Sequence, residues 1–563
     1  MSAFLWASLT SNREDALESG CNCTTKARCR RTDLGQPLFS RCWIGKLARE
    51  PFSTLTCFQM ISRRAVCLGV VLALLASLQW LPLLHAKWSI RDDYRFVKLM
   101  GSSGRISFPD FVEQLFPPDV PLGGTVNRPC YYLVHDFWML LIGNNLLFWQ
   151  SAKVLTYFAV VFLFFLLLRI WVDAFSATAL WLFISLQPTW WDIIPRANAE
   201  LFALFGLALY GIGNSLLLRS AFSSPPEVHT KQTLSGQFLA GFGGVIAVIS
   251  KENFCFSILA ISACAFLFAS LAIRRRELAV AQVVPFLVAV IFSCLVIYGI
   301  VKNHGHGLYG QTFNFPAIRK AAFAGLNSQG FFGWLPVGLL VFHLIWFYRS
   351  RDRNMLYVAF FELILVGIVL LNSGFYTGFK LEGRYAFPTS IVPAFAVIPL
   401  LTITRDPWRD YSKSFIHVLI WMCCISLVWP GRFANYDWSK HYRSETRKFD
   451  SNLKKVIAVV SLNPSKPILF ESYSVGDVEP LASVKIYLQS YGVRNPMYAK
   501  LNYSPAQFTD DHEKFLATLA EAEIGPDRRF RTFSDLNRQD YFRITFSSTS
   551  PQEDVIADFR GLE

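Results

Sequence analysis

Residues 61–96 read ISRRAVCLGVVLALLASLQWLPLLHAKWSIRDDYRF: two arginines, an apolar run, then adjacent aspartates with arginines on either side. The apolar run has about 20 residues, the length that crosses about 30 Å of hydrocarbon as a helix. Arg63 and Arg64 precede it, so its N-terminus is expected in the cytosol and the aspartates, Asp92 and Asp93, on the far side. Even a helical connector of eight residues rises only about 12 Å. The carboxylates are therefore expected at headgroup level, the depth of a lipid-linked phosphate.

Similar runs recur along the chain. Of its 563 residues 53% are hydrophobic and 15% aromatic, and only 17% are charged, whereas a soluble domain carries about a quarter. The fold class expected is an α-helical polytopic membrane protein of about 11 transmembrane helices, with a long first outer loop and a small C-terminal α/β domain outside the membrane. The net charge of +14 would suggest nucleic acid in a soluble chain. Here much of it sits in short loops between spans, where lysine and arginine set orientation, so no nucleic-acid partner is expected.

Cys21, Cys23, Cys29, Cys42, Cys57 and Cys67 crowd the N-terminal region without any C-x-x-C pair, which argues against a zinc site. Cys130 alone is placed clearly outside, so no disulfide framework is implied. Residues 1–59 are polar, rich in Cys and Arg, and without sustained period. They are expected to be a disordered extension or to precede the natural start at Met60. The segment from Met60 resembles a signal peptide, but its apolar core is too long, and an uncleaved first span is expected.

The spans are predicted at about 65–84, 147–168, 175–189, 199–218, 236–251, a sixth ending at RRR (274–276), 280–301, an eighth ending at RSRDR (349–353), a ninth, a tenth and 415–430. The basic clusters at 63–64, 274–276, 349–353 and 405–413 then all fall on one side. FSSPPEVHTKQTLSG, between the fourth and fifth spans, reads as a plain connector. Residues 60–430 form the membrane domain in this division and 431–563 a soluble one. In the latter KPILFESY and YFRITFSS read as strands, while LASVKIYLQSYG, with its glycine stop, and DDHEKFLATLAEAEIG read as helices.

This threading gathers the unusual polar residues on the outer face. Arg128 lies in VNRPCYY; Asp192, Arg196 and Glu200 lie between spans three and four; Lys251 and Glu252 close span five. Lys302, Arg319 and Lys320 sit in an acid-free loop at 302–330, and Lys380, Glu382, Arg384 and Tyr385 precede span ten. Basic residues outside run against the orientation rule, and an anionic ligand is one reason for them. Taken singly, each has a plainer reading. The Asp pair could be a solvated flank, Lys251 and Glu252 an ion pair, and Arg384 a snorkelling residue. His304 and His306 in NHGHG lack a third ligand and read as loop.

SIRDDYRF (89–96), NRPCYYLVHDFWMLLIGNN (127–145), SKENFCF (250–256) and EGRYAFPTS (382–390), in that order along this topology, resemble the C-type membrane glycosyltransferases. The likeness is to the branch holding protein O-mannosyltransferases and lipid A aminoarabinose transferases. It spans about residues 60–430 and implies the GT-C fold and transfer from a polyprenyl-phosphate-linked sugar to a cell-envelope glycan, lipid or protein on the outer face. It makes Asp92 the general base, with Asp93 positioning the acceptor or sharing that role. It places Lys251, Arg384, Arg128 and Tyr385 at the donor phosphate, with Asp192, Glu200, Glu252, Arg319 and Lys320 as secondary candidates.

A trefoil-like insertion is missing from the tail, so a protein acceptor is not supported. Beyond Asp92, Asp93 and Asp192 nothing forms an oxygen-rich cage, and no metal or other cofactor is expected. The location expected is a bacterial inner membrane, with the N-terminus cytoplasmic and the C-terminal domain outside. Two rival readings remain. An O-antigen ligase or polymerase would lean on arginines and a histidine in a late outer loop. A transporter or flippase would show inverted repeats and mid-membrane charges.

Overall fold

Ser62 opens the first helix: its hydroxyl accepts the Ala65 N–H at 3.2 Å, and α1 runs Arg63–Ser77. Pro82 has no N–H to give, and the chain continues as a 3-10 segment over Leu78–His85. The computed structural model describes residues 62–89, 93–115, 128–196, 199–220, 226–267, 276–304, 315–328, 331–351, 353–375, 383–402, 421, 434–472, 478–501 and 541–546. The extension expected over 1–59 lies outside them, as do the predicted span at 415–430 apart from Trp421 and the helix read at 510–525.

The stretch expected as a long outer loop carries three helices, α2 (Tyr94–Met100), α3 (Phe108–Leu115) and α4 (Pro129–Leu141). Pro129 sits at the first turn of α4, where a missing N–H costs nothing. The bundle follows with α5 (Leu146–Trp171), α6 (Ala174–Ser185), α7 (Ala199–Ser220), α8 (Pro226–Ser250), α9 (Phe254–Leu267) and α10 (Arg276–His304). Then come α11 (Phe315–Ser328), α12 (Phe331–Ser350), α13 (Arg353–Phe375), and two short pieces, α14 (Val392–Ala396) and α15 (Ile398–Thr402).

Among the described residues five helical stretches are long and apolar enough to cross a membrane: 63–85, 146–171, 199–217, 233–250 and 332–350. Five shorter apolar helices accompany them, at 174–185, 254–263, 282–298, 358–373 and 389–401. Each of the first ten predicted spans thus meets an apolar helix, but only half reach crossing length among the described residues. The third is instructive. α6 has 12 residues, about 18 Å of rise, and the chain leaves it at Leu186 for a 3-10 turn at Pro188–Asp192. The plain connector expected at 222–236 is also corrected, because helix α8 already begins at Pro226.

Trp80 meets Tyr157 edge-on at 5.7 Å and Gly69 lies against Phe165, so α1 and α5 run antiparallel. Buried Phe164, Phe165, Trp181, Leu204 and Val248 join α5, α6, α7 and α8 in one core. The α7–α8 contact is made by small residues. A Cβ on Gly206 would stand 2.4 Å from the Ala247 nitrogen, one on Gly213 2.3 Å from the Ala240 nitrogen, and one on Gly243 2.5 Å from the Tyr210 nitrogen. Backbones approach that closely only where side chains are missing.

Beyond the bundle, α16 (Ala434–Val460) buries Phe449, Leu453, Val456 and Val460 along one face. Strands β1 (Ile468–Ser472), β2 (Met497–Leu501) and β3 (Phe542–Phe546) form a parallel sheet in the order β2-β1-β3. Ile468 stands opposite both Met497 and Phe542. Helix α17 (Val478–Ser490) provides the crossover from β1 to β2. It ends where the sequence placed its glycine stop: Gly492 has φ +85°, and Val493 N–H reaches back to Leu488 O. These elements share a core with the first loop, since Phe449, Ile468, Val484 and Tyr487 cluster with Trp88, Phe96, Met100 and Trp149.

Replacing Gly213 by alanine should lower the thermal midpoint of the detergent-solubilised protein, at a cost of about 1–3 kcal/mol or more, because the methyl meets backbone. Gly241 faces open space, so Gly241→Ala should instead gain about 0.5–1 kcal/mol. Shifts of the same sign would remove the close approach as the explanation.

Candidate functional site

Helix α8 ends in a tight turn. Phe254 N–H bonds to Lys251 O and Cys255 N–H to Glu252 O, both at 3.1 Å. The turn carries Lys251, Glu252 and Asn253, all buried. Glu252 accepts a two-pronged contact from Arg128, Nε to Oε2 at 2.8 Å and an NH2 nitrogen to Oε1 at 2.7 Å. Such forks are the strong form of the charged hydrogen bond. Lys251 Nζ stands 3.3 Å from Glu252 Oε1 and 3.2 Å from Glu200 Oε1. Burial pushes the Glu252 carboxyl up, but the Arg128 and Lys251 charges outweigh it and hold the group well below the usual carboxylate range.

A second network lies in the turn left by the short α6. Asp192 Oδ2 accepts the Arg384 backbone N–H at 3.0 Å, and Oδ1 is 3.4 Å from an Arg196 guanidinium nitrogen. Gly383, at φ +53°, faces the same carboxylate, and a Cβ there would stand 2.6 Å from Oδ2. The Arg384 guanidinium donates to the Tyr385 hydroxyl at 3.1 Å and lies 5.1 Å from its ring centroid.

Buried amides join the two networks. Asn253 Nδ2 donates to Asn372 Oδ1 at 2.7 Å and to Phe387 O at 3.1 Å. Asn372 Nδ2 donates to Tyr385 O and Thr389 Oγ1, each at 3.1 Å. Lys153, near the start of α5, gives its Nζ to Pro195 O at 2.7 Å. Residues from the first loop, the α6–α7 turn, the α8–α9 turn, the end of α13 and the 383–389 turn thus meet at one end of the bundle.

The acidic turn reaches the same end. Trp88 packs on Trp149 at the head of α5, one helical turn before Lys153. Phe96 stacks on His135 at 4.6 Å, and His135 meets Phe202 edge-on at 5.7 Å, close to Glu200. Asp93 is buried, with its Oδ2 accepting the Ser89 N–H at 2.7 Å, while its carbonyl accepts Phe96 and Val97 to open α2. Asp92 lies outside the described residues.

The structure therefore brings Arg128, Lys251, Glu252 and Glu200 into one group and Asp192, Arg384 and Tyr385 into an adjoining one. It changes the part Lys251 was expected to play. That ammonium is not at an open surface but enclosed by two carboxylates, while the side chains of Arg128 and Arg196 are partly exposed, at 18% and 15%. Arg319 and Lys320 stand exposed on α11. The sequence reasoning passed over Asn253, Asn372, Thr389 and Lys153. A lysine inside WQSAKVL and an asparagine inside LLNSG, both in apolar helices, were the available signals.

Fold and site together define an integral membrane protein whose described apolar segments are helical, with a buried ionic cluster closing one end of the bundle. No family model matches the chain, and no curated protein matches it in sequence. Among solved structures the chain is similar to ArnT from Cupriavidus metallidurans bound to undecaprenyl phosphate. That likeness has 13% identity and a TM-score of 0.44, over 85% of this chain and 93% of that one. The chain is also similar to the Archaeoglobus fulgidus oligosaccharyltransferase tethered to an acceptor peptide, with 12% identity and a TM-score of 0.45, over 81% of this chain and 68% of that one.

Removing Glu252 takes one of two carboxylates from the buried Lys251 and the two-pronged partner from the part-buried Arg128, and Glu252→Ala should cost about 3–5 kcal/mol. A carboxylate with a depressed folded pKa adds stability above its unfolded value, about 4.3, and loses it as the pH falls toward the folded value. Below about pH 4.3 the parent protein should therefore lose stability more steeply than Glu252→Gln. Thermal unfolding in detergent across that range reads the difference, and parallel acid slopes would show that Glu252 carries no such linkage.

Proposed function

We propose that the chain is a membrane glycosyltransferase that moves a sugar from a polyprenyl-phosphate donor to an acceptor at the end of the bundle holding the ionic cluster. One observation carries this reading: cations and carboxylates from distant parts of the chain converge there, beside the turn that bears Asp93. Apolar helices run directly beneath, the arrangement a ligand with a prenyl tail and a charged head requires. Burying this many charges is expensive unless each is paired, and a site that handles an anion supplies a reason to retain them.

In this reading Asp92 takes the proton of the acceptor hydroxyl as its oxygen attacks the anomeric carbon. The bond from that carbon to the donor phosphate oxygen breaks in the same step, and the polyprenyl phosphate leaves with its negative charge. Arg128 and Arg384 hold the phosphate, and their charge counts most as the leaving oxygen becomes anionic. Lys251 acts from behind, keeping Glu252 ionised so that Arg128 stays aimed. A single displacement inverts the anomeric centre, unlike the two-step covalent route. The acidic turn faces the outer side of the membrane in this proposal, and the basic ends at Arg169, Arg349 and Arg351 face the cytosol.

The test uses the full chain in lipid nanodiscs with a panel of synthetic polyprenyl-phosphate hexoses and pentoses, reading release of polyprenyl phosphate. Asp92→Asn should abolish turnover while leaving donor binding intact. Arg384→Ala should weaken donor binding about 10- to 100-fold, as the loss of charge-assisted phosphate contacts does. Binding and turnover unchanged in both variants would end the transferase reading and favour transport of a lipid-linked substrate.

A further inference from the structure

The buried Tyr487 lies on α17, 398 positions from the residue it touches: its hydroxyl donates to Ser89 O at 2.6 Å. The same Ser89 gives its own N–H to Asp93 Oδ2 at 2.7 Å. One backbone residue is thus held from both sides, by a phenol from the C-terminal segment and by the carboxylate of the acidic turn. The ring is fixed in turn, edge-on to Phe449 of α16 at 5.4 Å, within the core that α16 and α17 share with Trp88 and Phe96.

We propose that Tyr487 is a positioning residue for the acidic turn, acting on Asp93 through Ser89, so that the C-terminal segment is part of the catalytic apparatus. This rests on the transferase reading given above. Ser89 and Asp93 flank Asp92 in the sequence, and the phenol and the Ser89–Asp93 bond hold those two residues. A general base must be held near its proton in a narrow geometry. The phenol suits this task. Burial first, and the neighbouring Asp93 charge second, push it well above the ordinary tyrosine range, so it remains a donor at any working pH. The Ser89 acceptor is backbone, so this contact does not depend on the Ser89 side chain.

The experiment compares Tyr487→Phe with Val484→Ala in the full chain in nanodiscs. Val484 is a buried neighbour on the same helix, and its truncation loosens the packing while leaving the phenol in place. Hydrogen exchange is followed over a peptide spanning 88–97, whose Ser89, Phe96 and Val97 amides bond to Asp93. Exchange there should quicken about five- to tenfold in Tyr487→Phe, the scale of one lost hydrogen bond, and stay near the parent rate in Val484→Ala. With the panel donor that turns over, Tyr487→Phe should lower kcat about 10- to 100-fold with donor KM within about twofold, because the phosphate-binding arginines lie elsewhere.

Unchanged exchange in Tyr487→Phe, or equal kcat losses in the two variants, would overturn the positioning role. Quickened exchange without a kcat loss would overturn it too, leaving a purely structural contact. A parent protein that turns over no donor is a separate outcome. It removes the transferase reading, and the catalytic meaning of Tyr487 goes with it.

Discussion

Glu252 is the carboxylate on which the end of the bundle depends. Two cations, Arg128 from the first loop and Lys251 from the preceding position, address it from different directions. It balances the enclosed Lys251 together with Glu200 and anchors the part-buried Arg128, because an unpaired charge in an apolar interior costs several kcal/mol. The pairing fastens the first loop to the α8–α9 turn. Through Asn253 and Asn372 the same turn fastens the 383–389 segment. One ionised side chain thereby sets the relative placement of segments that share no local sequence relation.

The networks differ in how they meet solvent. Around Glu252 the lysine and both carboxylates are enclosed, and only the Arg128 side chain is partly exposed. Around Asp192 the contacts are looser and include a main-chain donor, so the carboxylate holds the Gly383–Arg384 turn as much as it balances charge. Enclosed pairs stiffen a site, while partly exposed arginine side chains keep contact with water. That division suits a site with a rigid floor and a charged rim.

The segment beyond residue 434 is built into the same end. Asn435 donates to Gln79 Oε1 and to Gln187 O, and Ser439 donates to Gln79 O. Higher up, Lys87 N–H finds Thr446 Oγ1 and Arg447 finds His85 O. Trp191 stacks on Trp438 at 4.4 Å. Helix α16 therefore leans along the exit of the first span and the turn bearing Asp192. Helices α16 and α17 and strand β1 are continuous in packing with the first loop.

Much of this was legible in the residues. Apolar runs marked the stretches where ten apolar helices stand, five of them long enough to cross a membrane among the described residues, since a chain in hydrocarbon must close its own hydrogen bonds. The polar residues of the loops pointed to one face; Arg128, Glu200, Lys251 and Glu252 meet in one group, whereas Arg319 and Lys320 stand exposed on α11. Strands β1 and β3 and helix α17 followed from alternation and a glycine stop. What a linear pattern could not hold was who pairs with whom. That Lys251 is enclosed between carboxylates, that Asp192 grips a main-chain amide, and that Tyr487 reaches Ser89 are decided by helix packing. Contacts between residues hundreds of positions apart leave no period or spacing in the chain; they arise only when burial forces each polar group to find a partner.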